Sequence, residues 1–201
     1  HFKIEELAEG FVGSHQTDHT QIVLTRSDSG IRDLKHMAGK RIALLRDDEL
    51  SEIYLETLCL SQFRRACKEV FAGIETLDNS NKLVMRLFFG KTDLILTRQS
   101  GLELAKELNP QIGASVQVVR QFSVKSSYFG FFGSNVDRSF RTRALSNIPT
   151  MHLEARGKQV LEVFKLDKLE IASASDLLPF VRLYQDYEAL RAEIGRKKGG
   201  R

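Results

Sequence analysis

Residues 40–110 alternate three short apolar runs with three amphipathic segments, and this order constrains the fold more than any other feature of the sequence. The runs at 40–45, 66–71 and 93–97 have the length and apolar character of buried strands. The segment after each run spaces its apolar residues as a helix does, and the first begins with an acidic turn that suits a helix N-terminus. The order β-α-β-α-β-α predicts a parallel sheet with right-handed crossovers, and therefore an α/β fold.

Outside this block the sequence predicts three further strands and three further helices. The strands occupy 21–26, 115–122 and 127–133, where β-branched and aromatic residues are frequent. The helices occupy 135–148, 150–164 and 175–194, with Asp137, Thr150 and Ser175 as start signals.

The charge of the chain is concentrated at one end. The 201 residues include 30 Lys and Arg against 26 Asp and Glu, which gives a net charge of +4. Four basic residues fall in the segment 195–201, and the rest of the chain is electroneutral. We expect this glycine-containing basic tail to be flexible, and we predict no nucleic-acid partner.

Several protein classes lack support in the sequence. No apolar run is long enough to span a bilayer, and the chain does not open on a secretory signal, so no direct membrane insertion is predicted. Cys59 and Cys67 are too few for a disulfide framework or a four-cysteine zinc site. Two possibilities remain equally open: a disulfide bond between these two cysteines, or two free thiols.

The sequence offers no enzyme motif. It contains no nucleophile elbow, no P-loop and no dinucleotide fingerprint after a strand, so we predict no catalytic residue, no cofactor and no enzymatic activity. His15 and His19 have the spacing of two zinc ligands on a helix, but Gly13, Ser14 and Thr17 favour a solvated loop. No third ligand is implied, and we predict no metal site.

The strand-to-helix junctions are the places where chemistry is expected. In open α/β sheets, ligands bind beyond the carboxyl ends of the strands, where helix N-termini present free N–H groups. Hydroxyl and amide side chains at these junctions either hold a polar ligand or only cap the helices, and Arg98 is able to clamp a carboxylate or phosphoryl oxygen. The candidate ligand-binding residues are Ser51, Asp78, Asn79, Ser80, Thr97 and Arg98.

Four stretches of the chain, taken together, resemble a known family. They are QIVLTRSDSGIRDLKHMAGKRIALL (21–45), VMRLFFGKTDLILT (84–97), LAKELNPQIGASVQVV (104–119) and GKQVLEVFKLDKL (157–169). Their order and spacing resemble the phosphate/phosphonate-type substrate-binding proteins of ABC transporters, which have the type 2 periplasmic-binding fold.

The resemblance implies a two-lobe α/β architecture with parallel-type sheets flanked by helices, and with an incomplete first lobe. Residues 26–117 would form the second lobe, and residues 1–25 and 118–201 the first. Two strand crossings near Thr25–Arg26 and Val118–Arg120 would join the lobes, which close around ligand on a hinge.

The function that the resemblance implies is capture of a small polar ligand, phosphonate-like or other, for the membrane permease of an ABC transporter. The protein would be periplasmic or extracytoplasmic, with Tyr128 as a first-lobe contributor to the ligand site. The alternatives are a ligand-sensing input domain of a signalling protein with the same fold, and an enzyme on a related two-lobe fold.

The sequence departs from the family pattern in two places. The strand-helix-strand section that opens the first lobe is not supplied before residue 20. At the first junction the family's small hydroxyl residues are replaced by Arg46, Asp47, Asp48 and Glu49, and only Ser51 matches. Three carboxylates repel a phosphoryl group unless a cation or Arg46 intervenes, which favours a cationic or zwitterionic ligand, or loss of ligand binding.

Overall fold

The structure is a computed structural model that describes residues 10–14, 19–124, 128–133, 135–164 and 166–199. The strands are β1 (Gly10–Ser14), β2 (His19–Arg26), β3 (Arg41–Leu45), β4 (Gly73–Leu77), β5 (Leu94–Arg98), β6 (Val116–Val124), β7 (Tyr128–Phe131) and β8 (Lys168–Ile171). The α-helices are α1 (Glu49–Phe63), α2 (Cys67–Val70), α3 (Ser80–Phe88), α4 (Gln99–Leu108), α5 (Gln111–Ser115), α6 (Arg138–Asn147), α7 (Ala155–Val163) and α8 (Ala174–Gly199). Two 3-10 helices occupy Leu34–Met37 and Ile148–Leu153.

The chain divides into two compact units. One, here called the five-stranded unit, consists of His19–Val124 and Val181–Arg201. The other, the three-stranded unit, consists of His1–Asp18 and Lys125–Phe180. The lobe boundaries given above from the family resemblance stay a prediction.

The five-stranded unit contains the predicted parallel block. Its sheet has the order β4-β3-β5-β2-β6. Strand β3 pairs in parallel with β4 and with β5, which confirms the β-α-β-α-β interpretation. Strand β2 is antiparallel to both β5 and β6, so the sheet is mixed.

Both faces of this sheet are covered, because its central strands are apolar on both sides. Ile42 and Leu44 of β3 belong to a buried cluster with side chains of α1 and α2. Ala43 lies between them in sequence and belongs to a second cluster, with side chains of α3 and α4. Successive strand residues point to opposite faces, so a continuous apolar run is what a doubly covered strand requires.

The prediction of a strand at 66–71 is wrong. Cys67 and Val70 are buried while Lys68 and Glu69 between them are exposed, which is the three-residue spacing of the helical turn α2. The strand of this repeat is β4, a few residues further on. As an edge strand it is partly exposed, with Ile74 45% exposed, and therefore carries little of the apolar signal of a central strand.

Cys59 and Cys67 are free thiols within the buried cluster that contains α1 and α2. The Cys67 thiol donates to the backbone oxygen of Leu55 at 3.1 Å. Contact with the Cys59 thiol, reinforced by burial, raises the pKa of Cys67 well above its usual range. The thiolate is the reactive form of cysteine, so this environment suits a packing residue rather than a nucleophile.

The three-stranded unit has the antiparallel order β7-β1-β8. Helix α6 begins as predicted after Asp137, whose carboxylate accepts from the Phe140 backbone N–H at 3.0 Å. The prediction that Thr150 starts a helix is wrong, because this residue lies inside a 3-10 helix and α7 begins only at Ala155. Strand β8 was not predicted, because it has four residues and sits between two helical patterns.

Helix α8 contributes residues to both units and extends to Gly199, so residues 195–199 of the basic tail are helical. None of the helices in the described part of the chain is long and apolar enough to cross a membrane.

Asp93 connects the start of β5 to the start of β3. Its carboxylate accepts from the backbone N–H of Arg41 at 2.8 Å and from the Arg41 guanidinium at 3.1 and 3.2 Å. These hydrogen bonds with Arg41 lower the pKa of Asp93. A carboxyl group whose pKa falls on folding stabilises the fold above its unfolded-state pKa, and this contribution is lost as the pH falls through the folded pKa.

We therefore expect Asp93→Asn to cost about 1 kcal/mol at pH 7, as a partly exposed ion pair does, and progressively less below about pH 4. Urea titrations of both proteins at pH 7, 4, 3 and 2 measure this difference. Glu103→Gln is the control, because Glu103 pairs with Lys106 at 3.0 Å on an exposed helix surface. If the difference in free energy of unfolding between wild type and Asp93→Asn stays constant with pH, the prediction is contradicted.

Candidate functional site

The carboxyl ends of β3, β4 and β5 lead directly into helices α1, α3 and α4. Because the three strands are parallel, their carboxyl ends meet at one edge of the sheet. The N-termini of three helices are therefore gathered there, each with N–H groups that the helix itself does not satisfy.

Asp48 occupies the start of α1. The turn before it places Asp47 in the left-handed region, with φ of 56°. The Asp48 carboxylate accepts from the Ser51 backbone N–H at 3.3 Å and from Gln21 Nε2 at 3.5 Å. The Arg98 guanidinium lies 3.9 Å from its Oδ2. The Asp48 side chain is only 10% exposed, so this carboxylate is largely shielded from solvent and lies among polar groups.

Two buried polar atoms at this edge have no hydrogen-bond partner among the described residues. They are Gln21 Oε1 in β2 and Thr97 Oγ1 in β5. Gln21 is 2% exposed and Thr97 is fully buried. They lie on adjacent strands, where Gln21 is opposite Arg98 and Ile22 is opposite Thr97, so the Gln21 side chain leaves the face of the sheet that α1 covers and the Thr97 side chain the face that α3 and α4 cover. A buried polar atom without a partner costs about 1–3 kcal/mol, so a partner that the chain itself does not provide is expected.

Gly101 allows two of the helix N-termini to approach closely. A Cβ atom at this position would lie 3.3 Å from Thr97 Oγ1, 2.8 Å from Ser80 Oγ and closer still to Ser80 Cβ. Because residue 101 has no side chain, the first turns of α3 and α4 can approach each other beside the Thr97 hydroxyl. Ser80, Thr97 and Gly101 therefore pack against one another.

The junction between β4 and α3 mainly caps its helix. The Asn79 side chain accepts from the Lys82 backbone N–H at 2.9 Å. The exposed Asp78 carboxylate lies 3.1 Å from Lys82 Nζ and 3.6 Å from Arg46 Nη2. Lys82 first, and then Arg46, lowers the pKa of Asp78. Capping and these ion pairs explain Asp78 and Asn79 without requiring a ligand, and their ligand-binding roles stay a prediction.

The remaining candidates are placed as follows. Ser51 is 1% exposed in the first turn of α1. Arg98 immediately precedes α4 and is 42% exposed. Tyr128 is the first residue of β7, in the three-stranded unit, and its side chain lies outside the described set. Ser51, Ser80, Thr97 and Arg98 thus lie at one edge of the five-stranded sheet, and their ligand-binding roles stay a prediction.

Sequence analysis missed Gln21 and did not include Asp48 among the ligand candidates. Gln21 is the first residue of an apolar run that forms a strand inside the sheet. This position is the only sequence feature that could have indicated Gln21 as a site residue. The sequence marks Asp48 as one of three charges at this junction and gives no sign of its contact with Gln21.

No group of three metal-ligating side chains is found within the residues that the structure describes. His15, one of the two histidines considered as zinc ligands, lies in 15–18, outside those residues. The side chain of His19 lies outside them as well.

The geometry is similar to that of several solved proteins. XAC2383 from Xanthomonas citri bound to chloride ion matches with a TM-score of 0.75 and 12% identity over 91% of this chain and 70% of that one. A binding protein component of an ABC phosphonate transporter from Pseudomonas aeruginosa, PA3383, matches with a TM-score of 0.70 and 12% identity, covering 93% of this chain and 65% of that one. An ancestral arginine-binding protein bound to arginine matches with a TM-score of 0.51 and 17% identity over 75% and 62%. Identities this low establish the fold alone.

The fold is the two-lobe, type 2 periplasmic-binding fold of solute-binding proteins, as the sequence predicts. The family model described as "ABC transporter, phosphonate, periplasmic substrate-binding protein" matches residues 7–177. The chain belongs to this family. A comparison with curated protein sequences finds no match.

Proposed function

We propose that this chain captures a small polar ligand outside the cytoplasm and delivers it to the permease of an ABC transporter. The observation that carries the proposal is the pair of buried, unpartnered atoms, Gln21 Oε1 and Thr97 Oγ1, at an edge where helix N-termini meet. A ligand that hydrogen-bonds to them replaces two unfavourable burials with two contacts. Family membership supports the transport role and the periplasmic location.

The five-stranded unit supplies the ligand-binding residues of the proposal. Ser51 and Ser80, in the first turns of α1 and α3, and Thr97, in β5, offer hydroxyl groups at this edge. Arg98 has the freedom to reach a ligand, because its guanidinium is beyond hydrogen-bond distance from Asp48 and is partly exposed. These groups bind and orient a solute, and the transfer of the solute belongs to the permease.

A ligand-dependent melting experiment on the whole chain tests the proposal. Phosphonates, phosphate, amino acids and polyamines are added singly, and the shift in melting temperature is measured. A ligand at 100 times its dissociation constant should stabilise the fold by about 2.7 kcal/mol. If no compound of these classes stabilises the protein, the proposed function is contradicted.

Arg98→Ala separates ligand binding from structure in the same experiment. If Arg98 holds an anionic group of the ligand, this change removes the ligand-induced shift and leaves unliganded melting nearly unchanged. Lys106→Ala is the matched control, because Lys106 is a cation in the last turn of α4, the helix that Arg98 immediately precedes. Equal losses of liganded and unliganded stability in Arg98→Ala would mean a structural role.

A further inference from the structure

The place at the start of α1 that would suit an anionic ligand is filled by the protein itself. The Asp48 carboxylate accepts from the Ser51 backbone N–H and lies 3.9 Å from the Arg98 guanidinium. A helix N-terminus with a nearby arginine attracts an anion, and here that anion is a side chain.

The free atom of Gln21 requires a hydrogen-bond donor. The Gln21 Nε2 group donates to Asp48 Oδ2. The oxygen of the same amide, Oε1, therefore lies beside the start of α1 and has no partner among the described residues. The opposite amide orientation would set Oε1 against the carboxylate, with two acceptors facing each other. Oε1 is thus a buried acceptor, and a fully deprotonated oxyanion has no hydrogen to give it.

The charges around this place also disfavour an oxyanion. Asp47, Asp48 and Glu49 contribute three carboxylates within one turn. Arg46, the cation next to them in sequence, is 3.6 Å from Asp78 and so is shared with the neighbouring junction. A protonated amine is attracted by the Asp48 carboxylate and provides N–H donors to both Asp48 and Gln21.

We infer that the ligand of this chain carries a protonated amine, which binds between Gln21 Oε1 and the Asp48 carboxylate. This inference rests on the proposed function and specifies its substrate class. An acidic group elsewhere on the ligand is directed to Arg98.

Pairs of compounds that differ only by the amine test the inference on the wild-type protein. The pairs are 2-aminoethylphosphonate with ethylphosphonate and 3-aminopropanoate with propanoate, and propylamine is added as an amine without an acid. Calorimetric titration gives each dissociation constant. We expect the amine to improve affinity by about tenfold or more, as a charge-assisted hydrogen bond does.

The Asp48→Asn variant tests whether Asp48 causes the preference for the aminated compounds. Asparagine keeps an oxygen for the Ser51 N–H and is an equally good helix cap, so the fold is retained while the charge is lost. We expect the preference for the aminated member of each pair to fall by about tenfold. Asp47→Asn is the matched control: it removes the same charge one residue away, asparagine tolerates the left-handed φ, and the preference should persist.

The outcomes separate this inference from the proposed function. If a compound without an amine binds the wild type as tightly as its aminated partner, or if Asp48→Asn leaves the preference unchanged, the inference is overturned and the proposed function stands. If none of the compounds binds, the proposed function fails, and the inference fails with it. The wild-type comparison needs no variant, so it decides the question even if a substitution disturbs folding.

Discussion

Replacing Gly101 with alanine should destabilise the protein by about 3 kcal/mol, the upper part of the range for forcing a methyl group into a packed site. The new Cβ would lie 2.8 Å from Ser80 Oγ and even closer to Ser80 Cβ, an atom that moves only with the α3 backbone. The first turns of α3 and α4 must then separate. Urea denaturation at constant slope measures the loss.

The same change should also abolish ligand binding. The Thr97 hydroxyl lies 3.3 Å from the position of the added Cβ, so separation of the two helix starts displaces the groups around it. Ligand-induced melting shifts measured on the folded fraction of Gly101→Ala should be absent for every compound that stabilises the wild type.

Gly113→Ala is the matched control for Gly101→Ala. Gly113 lies in α5, and a Cβ there would meet only the Lys106 side chain, at ordinary contact distances of 3.7–3.8 Å. Alanine is favoured over glycine in a helix, so a gain of about 0.5 kcal/mol is expected with unchanged ligand binding. Equal stabilities of the two variants would show that Gly101 is not a close-contact position.

Thr97→Val should make the unliganded protein more stable by about 1 kcal/mol and weaken ligand binding by about tenfold. Valine has nearly the shape of threonine and removes a buried hydroxyl that has no partner among the described residues. A change that stabilises the empty protein while weakening binding is expected where a polar group is kept for a ligand. Urea denaturation and calorimetric titration measure the two effects.

Thr25→Val provides the contrasting case in the neighbouring strand, β2. Thr25 is also fully buried, but its hydroxyl has partners, at 2.8 Å from the Asp93 backbone oxygen and 3.0 Å from Ser29 Oγ. The same substitution should therefore cost about 1–2 kcal/mol without affecting ligand binding. If Thr97→Val were equally destabilising, the Thr97 hydroxyl would have a structural role and its proposed ligand role would be contradicted.

The parallel core was predictable because its signals are local. Within the run at 40–45, residues 42–45 are all apolar, as a doubly covered strand requires, and β3 occupies Arg41–Leu45. The helical segment predicted after the run at 93–97 is α4, which ends at Leu108 because Asn109 and Pro110 interrupt the helical pattern. Asn79 caps α3 as its position indicates.

Other elements could not be found in this way. In the segment 66–71, six residues are too few to distinguish strand alternation from a helical turn, and only burial of Cys67 and Val70 on one side decides it. Strand β4 is held at the edge of the sheet by its pairing with β3, a contact between residues 32 positions apart in sequence, such as Arg41 with Gly73. Local patterns contain no information about such a partner.

The sequence by itself determined the class of fold and the region of the site, because strand periodicity, helix caps and the order of elements are properties of neighbouring residues. It also determined that three carboxylates stand at the first junction. Only the tertiary structure decided which of them matters. Pairing of β2 with β5 brings Gln21 to the edge where Asp48 begins α1, and the burial of Gln21 leaves an acceptor without a partner among the described residues beside a carboxylate. The ligand class that we infer rests on that juxtaposition of residues distant in sequence, which no local pattern encodes.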